Sequence, residues 1–233
     1  MASALFLLVE FNVTAPAPPQ SDTAATSAAQ LAERWAALSA YQREIWWQLF
    51  ATNVLYAIGF LALVPLGLAL RALFDPSDAR AQLMAAGFAL GGSAGTLQTL
   101  MNLGTVGHTA AVGASLPADA SAAFIGLGMV NEIIGSMTYW LLLLFFLLVG
   151  LAMYRVSQLV QERGLLPRAL GRLALAVALL YWLALLAQLV GGLAGIREAF
   201  LVYRLVILLG GVVLAPLWSF WLGRELHRAA RAA

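Results

Sequence analysis

The sequence predicts an all-α integral membrane bundle of five transmembrane helices, with the N-terminus outside and the C-terminus inside. Three observations lead there. Of 233 residues, 62% are hydrophobic and only 10% charged, with a mean hydropathy of +0.87, whereas a soluble domain carries about 25% charged residues. Five stretches reach the roughly 20 apolar residues a helix needs to cross a bilayer: Trp46–Leu70, Ala81–Gly104, Ala122–Ala152, Leu170–Ala194 and Ala199–Leu222. The arginines are also unevenly divided between the connections. With the N-terminus outside, the inner segments hold Arg71, Arg80, Arg155, Arg163, Arg168, Arg172, Arg224, Arg228 and Arg231, and the outer ones only Arg34, Arg43 and Arg197. Such an excess marks the cytoplasmic side.

The chain opens on an extended segment and linker, residues 1–28. The apolar run Ala4–Val9 lacks the basic flank of a signal peptide and is too short to span, so it reads as a retained tail or an apolar plug. Pro16, Pro18 and Pro19 then mark an extended linker. Before the first span, the acids (Glu10, Asp22, Glu33 and Glu44) outnumber the arginines (Arg34 and Arg43), which favours an outside N-terminus.

Ser27 followed by Gln30 has the spacing of a capping box. Residues 29–45 then read as an interfacial amphipathic helix, because Leu31, Trp35, Leu38 and Ile45 share one face while Glu33, Arg43 and Glu44 lie elsewhere. Residues 46–223 form the five-helix domain, and residues 224–233 a basic cytoplasmic tail. Pro65 and Pro216 are expected kinks. Asp75-Pro76 is expected to cap and open the second spanning helix. Gly104–Pro117, with three glycines and no charge, reads as a re-entrant or surface loop. The third helix should emerge from the membrane over Tyr154–Arg163 and stop at Gly164, and Pro167 suits the first turn of the fourth. Trp46, Trp47, Trp218 and Trp221 fall where an aromatic belt belongs; Trp140 and Trp182 lie nearer mid-membrane, as packing residues.

Side chains able to bind something gather at one level. Glu132 and Arg204 are the charges away from the ends of the apolar stretches, joined by Asn53, Gln98, Asn102, Asn131 and Gln188, all on the outer side in this topology. At about 100° per residue, Gly87, Gly91, Gly95, Gln98, Asn102 and Thr105 form one stripe, whose glycines make a small-xxx-small ridge for helix packing. Glu132 shares its face with Gly128, Gly135, Ser136 and Tyr139. Gln188 shares one with Tyr181, Ala184, Gly191 and Gly195, and Arg204 one with Gly211 and Ala215. These faces are expected to point into the bundle and to frame an outward-open pocket of Glu132, Arg204, Asn53, Gln98, Asn102, Gln188 and Tyr139. Because an intramembrane charge costs about 2.5–3.5 kcal/mol on insertion scales, Arg204 is the natural partner of Glu132.

Several chemistries are excluded or find no motif. With no lysine and no cysteine, Schiff-base amines, disulfides, thiolate metal sites and iron–sulfur clusters are ruled out. His108 and His227 fall on opposite sides of the membrane, so they cannot share a haem or metal, and His108 reads as a loop histidine. No protease, hydrolase or nucleotide-binding motif occurs. No basic patch is interleaved with aromatics, so no nucleic-acid partner is expected. No catalytic residue, metal site or cofactor is assigned.

Asn131-Glu132-Ile133-Ile134-Gly135, then a Leu/Phe-rich stretch, then Gly164-Leu165-Leu166-Pro167-Arg168-Ala169-Leu170-Gly171, resembles a bacterial multi-pass membrane family of unknown function. That family has a membrane Glu-x-x-Gly and a later Leu-Pro-Arg-x-Leu-Gly turn. The resemblance spans Ala81 to Val190, departs in the long N-terminal extension, and implies a fold rather than an activity. The leading expectation is a non-enzymatic binding or assembly subunit of the bacterial inner (cytoplasmic) membrane, touching lipid and a partner membrane subunit or further copies of itself. The alternative is a small transporter or proton-coupled permease using Glu132. A membrane enzyme ranks third, since one carboxylate with Tyr139 and Arg204 does not specify a reaction.

Overall fold

A computed structural model of the chain describes residues 27–117, 119–194 and 196–232; the apolar run Ala4–Val9, the proline-rich linker and Gly195 lie outside them. The described residues are helical throughout, without strands. The helices are α1 (Ala28–Glu44), α2 (Trp46–Leu61), α3 (Leu63–Phe74), α4 (Ala79–Ser115), α5 (Ser121–Arg163), α6 (Arg168–Ala194), α7 (Arg197–Ile207), a π-helical segment (Leu208–Leu214) and α8 (Ala215–Ala232). Among the described residues, four stretches are long and apolar enough to cross a membrane: Trp46–Phe74, Ser121–Arg163, Arg168–Gly192 and Glu198–Arg228. At 37 residues, α4 is long enough but too rich in Gly, Ser, Thr, Asn and Gln to join them.

Local chemistry explains most helix boundaries. The Ser27 hydroxyl accepts the Gln30 N–H at 3.3 Å and caps α1. Gly164 ends α5 with a left-handed φ of 65°, a conformation that favours glycine. Pro167 stands just before α6, its carbonyl accepting the Leu170 N–H at 2.9 Å. The α2–α3 break at Ala62 lies three residues before Pro65, whose ring nitrogen offers no proton to the Leu61 carbonyl. The π segment ends just before Pro216 and contains Gly210 and Gly211; proline and paired glycine both loosen an α ladder.

Two sequence expectations are corrected here. Asp75 does not cap α4. It takes a positive φ of 114°, held by its own carboxylate accepting the Ser77 N–H at 2.9 Å and hydroxyl at 2.7 Å. The residue before α4 is Asp78, whose carboxylate accepts the Arg80 N–H at 2.8 Å. The stretch Gly104–Pro117 is not a loop, because α4 runs on to Ser115 and carries His108 with it. Two of its glycines are helix-packing positions: a methyl on Gly107 would lie 2.9 Å from the Trp46 ring, and one on Gly113 would collide with Ser39.

The chain forms two compact units, one of residues up to Ile58 with Thr96–Leu141, the other of Gly59–Gly95 with Leu142 onwards. In the first, Trp35 of α1 lies over Gly128 of α5, with Ala32 and Phe124 completing a small buried cluster. Here α1 is a packed element, its apolar face covered by α4 and α5. In the second, a large core joins α3, α4, α5, α6 and α8 through Leu70, Phe88, Val156, Leu170, Val177 and Trp218. Trp218 is only 2% exposed, so it is a core residue and not part of an aromatic belt. Trp182 packs over Gly150.

In each unit α4 and α5 run antiparallel. In the second, a methyl on Gly87 would stand 2.9 Å from the Leu148 carbonyl, one on Gly91 2.7 Å from Val149, and one on Gly95 2.9 Å from Phe145. In the first, Thr109 meets Asn131. The glycine ridge is thus filled by the chain's own α5.

Candidate functional site

The polar residues of the first unit form a seam along α4. Asn53 of α2 is buried; its amide donates to the Leu49 carbonyl at 2.7 Å, and its side-chain oxygen accepts from Asn102 at 3.2 Å. One helical turn earlier, the Thr99 hydroxyl donates to Gln98 at 3.2 Å. On the α5 side, Asn131 donates to the Leu127 carbonyl at 2.9 Å and to the Thr109 hydroxyl at 2.8 Å. Thr109 is fully buried, and its one proton is divided between the Thr105 carbonyl at 2.8 Å and the Asn131 oxygen at 3.0 Å. Thus α4 is hydrogen-bonded to α2 by an amide pair and by the Thr96 hydroxyl, which donates to the Ala57 carbonyl at 3.5 Å, and to α5 by an amide–hydroxyl pair. Thr109 escaped sequence reasoning because it lay in the stretch read as a loop. A groove of about 240 Å³ opens beside the Thr109–Asn131 pair, with His108 and Gly104 on its wall.

Glu132 lines a second groove of the same unit, of about 350 Å³, with Leu31 and Trp35 of α1 and Ile125, Met129 and Ile133 of α5. Its side chain is exposed, as are Gly135 and Ser136, and a methyl on Gly135 would meet nothing within 4 Å. This corrects the expectation that the Glu132 face points into the bundle. Trp35 covers that face at Gly128, and from Glu132 to Ser136 it is exposed, flanked by Met129, Ile133 and Met137, each more than half exposed. Tyr139 is half-buried and sets its ring edge-on to Trp140, centroids 5.7 Å apart. Trp35 was recognised on an amphipathic face, but the α1–α5 contact that brings it beside Glu132 joins segments nearly a hundred residues apart, which periodicity does not report.

In the second unit, Gln188 is 7% exposed and shares its buried face with Tyr181 and Ala184; Gly191 lies against Phe200 of α7. Arg204 of α7 is exposed among Leu201, Leu205 and Leu208, so its side chain also departs from the inward orientation expected. Asn53, Gln98, Asn102, Glu132 and Tyr139 belong to the first unit, and Gln188 and Arg204 to the second.

The second unit also holds an ionic cluster at the α3–α4 turn. Asp78 bonds Arg163 at 3.1 Å and Arg80 at 3.3 Å, and Arg80 also pairs with Glu162. Arg71 and Gln82 both donate to the Pro76 carbonyl. The Arg80 backbone N–H, then the Arg163 and Arg80 side chains, hold the Asp78 carboxyl down to about 2. Two connections that the arginine count assigns to the same side of the membrane therefore meet.

No known protein family matches the chain, and neither does any curated protein or solved structure. The likeness carried by the Glu132 and Pro167 motifs thus gains no family assignment.

Proposed function

We propose that the protein is a non-enzymatic subunit of the bacterial inner membrane, crossing it five times with its N-terminus outside. It binds or assembles with a partner through outer-leaflet polar residues, Glu132 in the first unit and Arg204 in the second. The observation that carries this reading is Glu132 itself. It is a carboxylate exposed on an otherwise apolar face of a long hydrophobic helix, in a groove walled by Trp35 and open on its Gly135–Ser136 side. A charge so placed has little water around it and gains most from an opposite charge brought by something outside its unit.

The fifth crossing is supported by the antiparallel pairing of α4 with α5. A helix that follows a spanning helix from Glu162 to Phe145 shares its environment, and α5 covers the glycine ridge that lowers the hydropathy of α4. The orientation rests on the arginine count and on the Arg80–Asp78–Arg163 cluster that joins two arginine-bearing turns.

The test is assembly state. Purified in a mild detergent, the wild-type chain is expected to run as a complex larger than its 24.8 kDa, and Glu132→Gln to reduce that complex at least severalfold while leaving the helical circular dichroism signal intact. A wild-type chain that is a clean monomer carrying neither lipid nor protein would defeat the proposal.

A further inference from the structure

Arg155 is a cation held in place without a counter-charge. It is half-buried and is the first charge on α5 after the wholly apolar residues 142–153. Its Nη1 donates to the Gln158 side-chain oxygen at 2.7 Å, and its guanidinium carbon lies 5.7 Å from the centre of the Tyr154 ring. Its Nε–H is buried with no acceptor. Arg155 makes no ion pair among the described residues, and the carboxylates of Asp78, Glu162 and Glu225 are taken by Arg80, Arg163 and Arg228. One neutral amide and one ring face leave most of its charge uncompensated beside an apolar band, where an anion is worth most to it.

The neighbouring side chains fix which donors remain free. Gln158 is engaged at both ends: its oxygen accepts from Arg155, and its amide nitrogen donates to the Tyr154 hydroxyl oxygen at 3.0 Å. The Tyr154 hydroxyl therefore serves as an acceptor here, and its own proton has no acceptor among the described residues, nor has Arg155 Nη2. The Tyr154 ring is steadied in turn by Trp182, centroids 5.7 Å apart. A guanidinium and a phenol, adjacent in the chain and tied together through one amide, thus present unused N–H and O–H donors and a full positive charge. Oxyanions are recognised by such sets, and arginine suits the oxygens of a phosphate.

We propose that Arg155 and Tyr154 form a binding site for a phosphate group, with Arg155 Nη2 and the Tyr154 hydroxyl each donating to a phosphate oxygen while Gln158 holds both side chains. Arg155 precedes Arg163 of the ionic cluster by about 12 Å of helix, so it stands between the apolar band and that cluster, the depth of the polar interface that flanks a hydrocarbon layer. On the topology proposed above, an anionic lipid of the inner leaflet brings its phosphate to this level; inorganic phosphate offers the same oxygens. Tyr154, Arg155, Gln158 and Trp182 all belong to the second unit, so the site stands independently of the Glu132 reading.

The test is binding to the full-length chain in a neutral detergent, read by native mass spectrometry. The probes are phosphatidylglycerol, diacylglycerol (the same tails without the phosphate) and inorganic phosphate. The wild type is expected to retain phosphatidylglycerol at least tenfold better than diacylglycerol. Arg155→Gln should abolish that preference. Tyr154→Phe keeps the ring contacts with Trp182 and Arg155 and should weaken binding severalfold; it carries the test alone if Arg155→Gln does not fold. Arg172→Gln removes an exposed arginine of α6 that makes no ion pair among the described residues and should change nothing. Inorganic phosphate that displaces the lipid and loses its own binding in Tyr154→Phe marks free phosphate as the ligand; phosphate that fails to displace it marks the lipid. A wild type that binds neither lipid phosphate nor inorganic phosphate, binding unchanged in Tyr154→Phe, or binding lost equally in Arg172→Gln, would overturn the site.

Discussion

Gly92 offers the sharpest test of how α4 is held. It faces the α2 backbone just before the Ala62 break, and a methyl there would lie 2.5 Å from the Phe60 carbonyl oxygen and 3.1 Å from the Leu63 Cβ. Ordinary contact begins near 3.4 Å, so Gly92→Ala forces a withdrawal of about 0.9 Å between two backbones. The opposing atom is main chain and cannot rotate away. Overpacking a fitted site costs about 1–3 kcal/mol, while the gain in helix propensity from glycine to alanine returns about 0.5–1 kcal/mol. The net expectation is a loss of about 1–2 kcal/mol. Gly104→Ala is the control: nothing lies within 4 Å of its new methyl, so it should gain about 0.5–1 kcal/mol. The propensity gain is common to both variants, so they should differ by the overpacking cost alone, roughly 1–3 kcal/mol. Unfolding in mixed micelles, followed by circular dichroism, reads this directly. A Gly92→Ala protein as stable as Gly104→Ala would refute the close approach of α2 and α4.

The ionic cluster gives a pH prediction. Asp78 is held near 2 against an ordinary 3.8, so its stabilising effect is complete above about pH 4 and is lost as pH falls towards 2. The melting temperature of Asp78→Asn should be lower than wild type at neutral pH and converge with it in acid; parallel acid profiles would remove Asp78 from the account. Asn131→Leu strips Thr109 of its amide partner and should cost about 0.6–1.7 kcal/mol, the range for hydrogen bonds between membrane helices; no change on unfolding would mean that water replaces the bond. Gly128→Leu drives a side chain into the Trp35 ring and should release α1, seen as faster tryptic cleavage at Arg34 and Arg43; unchanged cleavage would show α1 to be held elsewhere.

Composition and apolar length were enough to read a helical membrane bundle, because lipid leaves the backbone few other solutions. The stops at Gly164 and Pro167 were legible too, since their chemistry is local. The α3–α4 turn was misplaced because Asp75 and Asp78 are both good caps, and only the positive φ of Asp75 assigns the role to Asp78. The α4 extension was missed because three glycines without charge look like a loop, when two of them, Gly107 and Gly113, admit Trp46 and Ser39 from segments distant in sequence. The outward faces of Glu132 and Arg204 were missed for a different reason. A polar residue flanked by small ones marks close helix approach, but the pattern is the same whether the approaching helix belongs to this chain or to something outside it. Beyond Arg204, the π segment also changes the number of residues per turn, so a face projected at a constant angle drifts out of phase before Ala215.

The dependence of α4 on α5 bears on the order of synthesis. On the five-crossing reading, α4 leaves the ribosome before the helix that covers its glycines, and by itself it is the least apolar of the long helices. Its transfer into lipid then waits for α5, and the two enter together. A chain truncated before Ser121 would leave α4 on the wrong side of that step, exposed to the machinery that removes stalled membrane proteins.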